Sequence, residues 1–321
     1  MAPKRRTWGY WTRAKLEILD KYLRAFARAS KGASERIYLD AFAGEGRGID
    51  RLTGEEFQGL ARIALEVEDP PFTKLRYFEL PPHAAGLERR LHEEYPDRDV
   101  VVYPGDCNEA ITEVLADLKD FKWAPTFAFL DPDGMELAWS TLEVLADHKK
   151  GYRPKGSDKL EYKVEMWMVF QSSGLIRTLA LDPEKLRDAD AHRATRLFGT
   201  GGWRAMYEGR REEDIDGATA RAGYVNLMRW RLEQALGYEW THPLEIKNLK
   251  GIPICHMILA TDNPAGTNIM GDLYTEAARR IPKMREEALA EQSTFRQERL
   301  FEMELEVEAY TYDPPWDPTR M

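Results

Sequence analysis

Five short apolar segments, each followed by a stretch of helical periodicity, set the tightest limit on what this chain can fold into. They are Ile37-Tyr38-Leu39-Asp40-Ala41-Phe42, Leu75-Arg76-Tyr77-Phe78-Glu79, Val100-Val101-Val102-Tyr103, Thr126-Phe127-Ala128-Phe129-Leu130 and residues 164–170. Helices are expected over residues 58–67, 84–95, 108–118 and 137–148. Such alternation demands parallel strands with helices on both faces. The handedness of the crossovers then stacks the units into one open sheet. A helix before the first strand, capped by Thr12, carries Leu16, Leu19, Leu23 and Phe26 on one stripe.

Beyond the fifth strand, residues 175–236 read as helical and charged. Two extended stretches, 243–249 and 252–261, meet at Lys250-Gly251 as a hairpin. A long helix is expected over 272–290, with Pro282 as the place for a kink, and an acidic-faced edge strand over 303–309. The expected fold is therefore α/β: a doubly wound, mostly parallel, seven-stranded Rossmann-like sheet with a helical insertion. The spans would be 1–174 for the first helix and α/β core, and 175–237 for the helical lobe. Residues 238–275 would return to the sheet as a hairpin, and 276–321 would form a final helix and acidic tail.

Composition narrows the function. The 321 residues carry 55 acids and 46 bases, a net charge of −9, which opposes broad nucleic-acid affinity. Two cysteines, Cys107 and Cys255, cannot build a disulfide framework, a four-cysteine zinc site or a three-cysteine cluster. No metal site is expected. No apolar run is long enough to cross a bilayer. No apolar stretch follows Met-Ala-Pro-Lys-Arg-Arg, so the expectation is a cytoplasmic chain without a secretory leader.

Chemistry concentrates at the strand ends. The first strand runs into Asp40-Ala41-Phe42-Ala43-Gly44-Glu45-Gly46-Arg47-Gly48. Glycines there let the backbone turn and approach a ligand closely. The spacing fits neither Gly-x-Gly-x-x-Gly nor the P-loop, so pyrophosphate cofactors and ATP are disfavoured. Asp40 suits a cationic amino-acid group. Glu79, ending the second strand, can accept two ribose hydroxyls. Asp106, after the third, can accept from an exocyclic amine, or cap the next helix. Gly44, Gly46, Asp40, Glu79 and Asp106, with Phe42 and Cys107 beside them, describe a site for a nucleoside bearing an amino acid: S-adenosylmethionine. Cys107 and Cys255 read as packed side chains, and His256 as structural.

The fourth strand ends Asp131-Pro132-Asp133-Gly134. In amino-group methyltransferases a carboxylate and a backbone carbonyl at this place orient the acceptor nitrogen. Asp131 and Pro132 fit that role, with Asp133 beside them; the missing aromatic disfavours a stacked nucleobase. The alternative is a tight turn. Gln171 and Ser172, ending the fifth strand, are candidate substrate contacts. Lys149, Lys150, Arg153, Lys155 and Lys159 read as a solvated loop. Arg177, Arg193, Arg196, Arg204, Arg210, Arg211 and Arg221, with Trp203 and Tyr207 among them, would suit a nucleic-acid strand or a solvated helical face.

Residues 15–23, Tyr38-Leu39-Asp40-Ala41-Phe42-Ala43-Gly44, Tyr77-Phe78-Glu79, Gly105-Asp106-Cys107-Asn108 and Phe129-Leu130-Asp131-Pro132 with Gly134 resemble the three-Cys-motif partner protein family. The resemblance runs from Trp8 to about Gly134, with a weaker return over residues 257–270. It implies a methyltransferase-like fold, an S-adenosylmethionine site at Asp40, Gly44, Gly46, Glu79 and Asp106, and a partner bearing the three cysteines. Asp133 departs from the family's pattern. Two expectations follow: methyl transfer to an amine or other heteroatom, with nucleic acid the favoured substrate class, or a cofactor-binding partner subunit without its own turnover.

Overall fold

The structure is a computed structural model, and it describes residues 7–8, 10–44, 47–50, 56–150, 152, 162–182, 184–292 and 309–318. The strands are β1 (Thr7–Trp8), β2 (Ile37–Asp40), β3 (Arg47–Asp50), β4 (Glu56–Gln58), β5 (Lys74–Glu79), β6 (Val100–Pro104), β7 (Thr126–Leu130), β8 (Glu165–Phe170), β9 (Trp240–Lys247) and β10 (Pro253–Thr261). The helices are α1 (Tyr10–Ala29), α2 (Pro81–Glu94), α3 (Cys107–Asp117), α4 (Trp139–Asp147), α5 (Ser172–Thr178), α6 (Asp188–Phe198), α7 (Arg204–Arg211), α8 (Gly217–Gln234) and α9 (Pro264–Gln292).

Seven strands form one sheet in the order β6-β5-β2-β7-β8-β10-β9. Numbered as the chain meets them, that is 3-2-1-4-5-7-6. The pairs β5–β6, β2–β5, β2–β7 and β7–β8 are parallel, and β10 is antiparallel to both β8 and β9. The expected seven-stranded, mostly parallel sheet is present, and it is consistent with a Rossmann-like methyltransferase fold. The strand order reverses between β2 and β7, and ligands in open α/β sheets bind outside the carboxyl ends at such a point.

Alternation along the strands sorts the core onto two faces. Tyr38, Tyr77, Phe127, Phe129, Trp167, Met257 and Leu259 pack with α1, α2 and α9. Ile37, Leu39, Ala128, Leu130, Met166, Met168 and Ile258 pack with α3, α4 and the helices of the lobe. The lobe's Phe198, Trp203, Met206, Tyr224 and Met228 belong to this second cluster, so one apolar core runs from sheet to lobe.

Several expectations are corrected. Residues 58–67 are not a helix: β3 and β4 form a hairpin, and only a 3-10 turn at Leu60–Arg62 follows. β1 adds to that hairpin, pairing in parallel with β3. Thr12 is not a cap; it lies inside α1, buried. The last helix begins at Pro264, eight residues before the expected start, and spans Pro282 as one element. Lys149 is buried and donates to the Ala124 carbonyl, just ahead of β7. Arg153, Lys155 and Lys159 lie outside the described residues, as do Lys4, Arg5, Arg6 and residues 303–308 of the expected edge strand. No described helix is long and apolar enough to cross a membrane.

Candidate functional site

The carboxyl ends of β2, β5, β6, β7 and β8 converge on one edge of the sheet. Asp40 closes β2 with no exposed surface. It accepts hydrogen bonds from the Phe42 amide at 3.1 Å and the Tyr38 hydroxyl at 3.4 Å. Burial pushes its carboxyl up to about 7, and the negative charge of Asp131 adds to the rise. Asp40 therefore shapes the turn that carries Phe42, and does not face open solvent. Gly44 takes φ +68°, a left-handed conformation that glycine alone adopts freely, and a Cβ there would meet nothing within 4 Å. The turn thus leaves open space beside β2. Gly46 lies outside the described residues.

Glu79 ends β5, half-buried, and one of its oxygens accepts from the Leu80 amide at 3.0 Å. Asp106 caps α3, accepting from the Asn108 amide at 2.9 Å, and Arg196 lies 3.9 Å from its other oxygen. Cys107, the first residue of α3, is buried, and burial pushes its thiol up to about 12, which leaves it unreactive at neutral pH. Cys255 is buried as expected, and its thiol is raised to about 12 for the same reason.

Asp131 and Pro132 stand at the end of β7, across the switch point from Asp40. Asp131 is not free: the Lys15 ammonium of α1 contacts its carboxylate. The Pro132 carbonyl accepts from Gln171 Nε2 at 3.0 Å, which places Gln171 beside the turn after β7. Asp133 points outward and is exposed. Ser172 is fully buried, and its Oγ lies 2.9 Å from His256 Nδ1. The ring is held neutral at ordinary pH because burial lowers its pKa to about 4. Ser172 therefore joins α5 to β10 and does not line the crevice. The turn after β7 is stitched to α3 by Asn108, which donates to the Glu136 carbonyl and accepts from the Ala138 amide and Thr141 hydroxyl.

Trp203 and Tyr207 offer no stacking platform; both are buried in the lobe. Arg204 lies over the Trp203 ring at 4.5 Å, Arg193 pairs with Asp190, and Arg210 donates to the Ile176 carbonyl. These arginines hold the lobe together. Lys15 was not legible as a site residue: it sits on a helix 116 positions from Asp131, and nothing local to either residue signals the contact.

No protein-family model matches the chain, and no curated protein matches it. Among solved structures, protein LPL1258 of Legionella pneumophila is similar over 84% of this chain and 92% of its own, at 11% identity and a TM-score of 0.47. An O-methyltransferase family protein from Burkholderia thailandensis is similar over 78% of this chain and 55% of its own, at 11% identity and a TM-score of 0.32. Likenesses this distant carry no argument about function.

Proposed function

We propose that the chain binds S-adenosylmethionine at the carboxyl edge of β2, β5 and β6 and transfers its methyl group to an amine. The observation that carries this reading is the left-handed, open turn at Gly44 beside the switch point, flanked by Glu79 on the neighbouring strand. A nucleoside fits there with its ribose hydroxyls on Glu79. Asp106 keeps one oxygen for the helix cap and can offer the other to an adenine amine. The bound cofactor would supply an electrophilic methyl carbon. The chain's own work is positional: Asp131 accepts an N–H of the acceptor, fixing its lone pair in line with the methyl, and the lobe excludes water. With the arginines of α6 and α7 engaged inside the lobe, no described feature favours one acceptor class, so RNA, DNA and protein are the acceptors to screen.

A second reading is a cofactor-binding partner subunit for a three-Cys-motif protein, without turnover alone. It is favoured by Lys15 on Asp131 and Gln171 on the Pro132 carbonyl, which occupy the acceptor groups in the chain by itself.

Calorimetric titration with S-adenosylmethionine and S-adenosylhomocysteine, with NAD as control, tests the first reading. Both should bind at one site, and Glu79→Ala should weaken both at least ~10-fold through the lost ribose hydrogen bonds. Binding of neither by folded protein would overturn it.

A further inference from the structure

Lys15 comes to Asp131 from a segment tied down on three sides. Immediately before it, the Tyr10 hydroxyl donates to the Lys247 carbonyl at the carboxyl end of β9. Ahead of that, Thr7 and Trp8 pair with Ile49 and Asp50, in the hairpin that follows the glycine turn. Residues 7–15 thus touch the cofactor-side hairpin, the far edge of the sheet and the carboxylate between them. The Lys15 and Asp131 side chains keep only 14% and 12% of their surface exposed. A solvated lysine pair is loosely held and worth little; this one is shielded and anchored at both ends.

We propose that Lys15 is a specificity-determining residue of the methyl-transfer site, its ammonium holding the place on Asp131 that an acceptor amine must take. The inference rests on the function proposed above. An acceptor reaches the carboxylate only by displacing an ammonium, and a nitrogen rich in N–H donors competes for it far better than a hydroxyl with one. On transfer, the carbon–nitrogen bond forms as the carbon–sulfur bond breaks. The electron pair stays on sulfur, and the surplus nitrogen proton passes to solvent.

The pair also sets the charge that the donor meets. With Lys15 in place, the charge of Asp131 is balanced by the ammonium beside it. Without it, a bare carboxylate faces the crevice and favours the sulfonium of S-adenosylmethionine over the uncharged thioether of S-adenosylhomocysteine. Without Asp131 the bare ammonium does the reverse. The experiment is calorimetric titration of both ligands into full-length wild type, Lys15→Ala, Lys15→Arg, Asp131→Asn and the Lys15→Ala/Asp131→Asn double variant, with thermal melts to confirm folding. The affinity ratio of the sulfonium to the thioether should rise about tenfold in Lys15→Ala and fall comparably in Asp131→Asn. It should stay at the wild-type value in Lys15→Arg and return to it in the double variant. Propylammonium added to Lys15→Ala should restore the wild-type ratio, and propanol should not.

S-adenosylhomocysteine binding with a ratio that stays flat across the series would overturn the proposal and leave the cofactor reading standing. Restoration by propanol as well would overturn the selectivity for amines. Binding of neither ligand by any folded variant would overturn both. If Lys15→Ala fails to fold, Asp131→Asn and Lys15→Arg still decide the sign.

Discussion

Two carboxyl groups with almost no access to water sit at opposite ends of the sheet. Asp40 closes β2, and Glu165 opens β8, where the Tyr22 and Thr261 hydroxyls donate to its two oxygens at 2.5 and 2.7 Å. Burial raises both to about 7. The folded chain therefore holds protons that the unfolded chain releases at ordinary carboxylate pH. The stability these groups contribute is fully present below the unfolded values and is lost as pH rises toward 7. Between pH 6 and pH 8 the melting temperature should fall, and Glu165→Gln should flatten that slope; an unchanged slope in urea melts at the two pH values would contradict it. At this scale the sequence was legible where a residue's role depends on neighbours in the chain. Gly44 at a strand end, and Asp106 two places before the amide it caps, belong to that group. It was silent on Lys15 and on the Ser172–His256 contact, because each joins elements whose proximity only the sheet order creates.

The elements themselves were written plainly. All five parallel strands fall within a few residues of the expected spans, because a strand buried on both faces must be continuously apolar and must stop at a turn. The hairpin β3–β4 was missed since its residues lack that apolar signature, and residues 58–67 misled because a 3-10 turn packed with Leu60, Ala61, Ala64 and Leu65 mimics helical spacing. The lobe offers a sharp test of element packing. Gly199 ends α6 at φ +62°, and a Cβ there would lie 2.3 Å from the Trp139 ring. Trp139 cannot retreat easily, since the Arg231 guanidinium lies over its ring at 4.2 Å. Gly199→Ala should cost about 2–4 kcal/mol in urea unfolding, combining left-handed strain with overpacking. The carboxyl-terminal segment offers a second. Asn226 of α8 brackets Trp316, accepting from its amide at 2.9 Å and donating to its carbonyl at 2.8 Å. Asn226→Ala should cost about 1–3 kcal/mol and raise proteolysis after residue 308, read by limited digestion.

On the scale of the whole molecule, the helical lobe is not an appendage. Its buried aromatics share one cluster with the sheet, so lobe and core should melt in a single transition. The tail crosses α8 at Asn226, Arg229 and Glu233, which bond to Trp316, Asp313 and Tyr312 in turn, and meets β9 where the Tyr310 hydroxyl lies 3.3 Å from His242 Nδ1. It thereby ties the last strand that the sheet exposes to the last helix of the lobe. The position of β10 has a further consequence. This strand is the last of the seven to be made, yet it lies inside the sheet, between β8 and β9. While a ribosome is still delivering residues 253–261, β8 has an open edge, apolar from Met166 to Phe170, and β9 has no partner in the sheet. The sheet can be finished only by inserting its final strand into a gap, so the arrival of β10, and not that of the five parallel strands, sets the moment at which the β8 edge stops being open to edge-to-edge pairing.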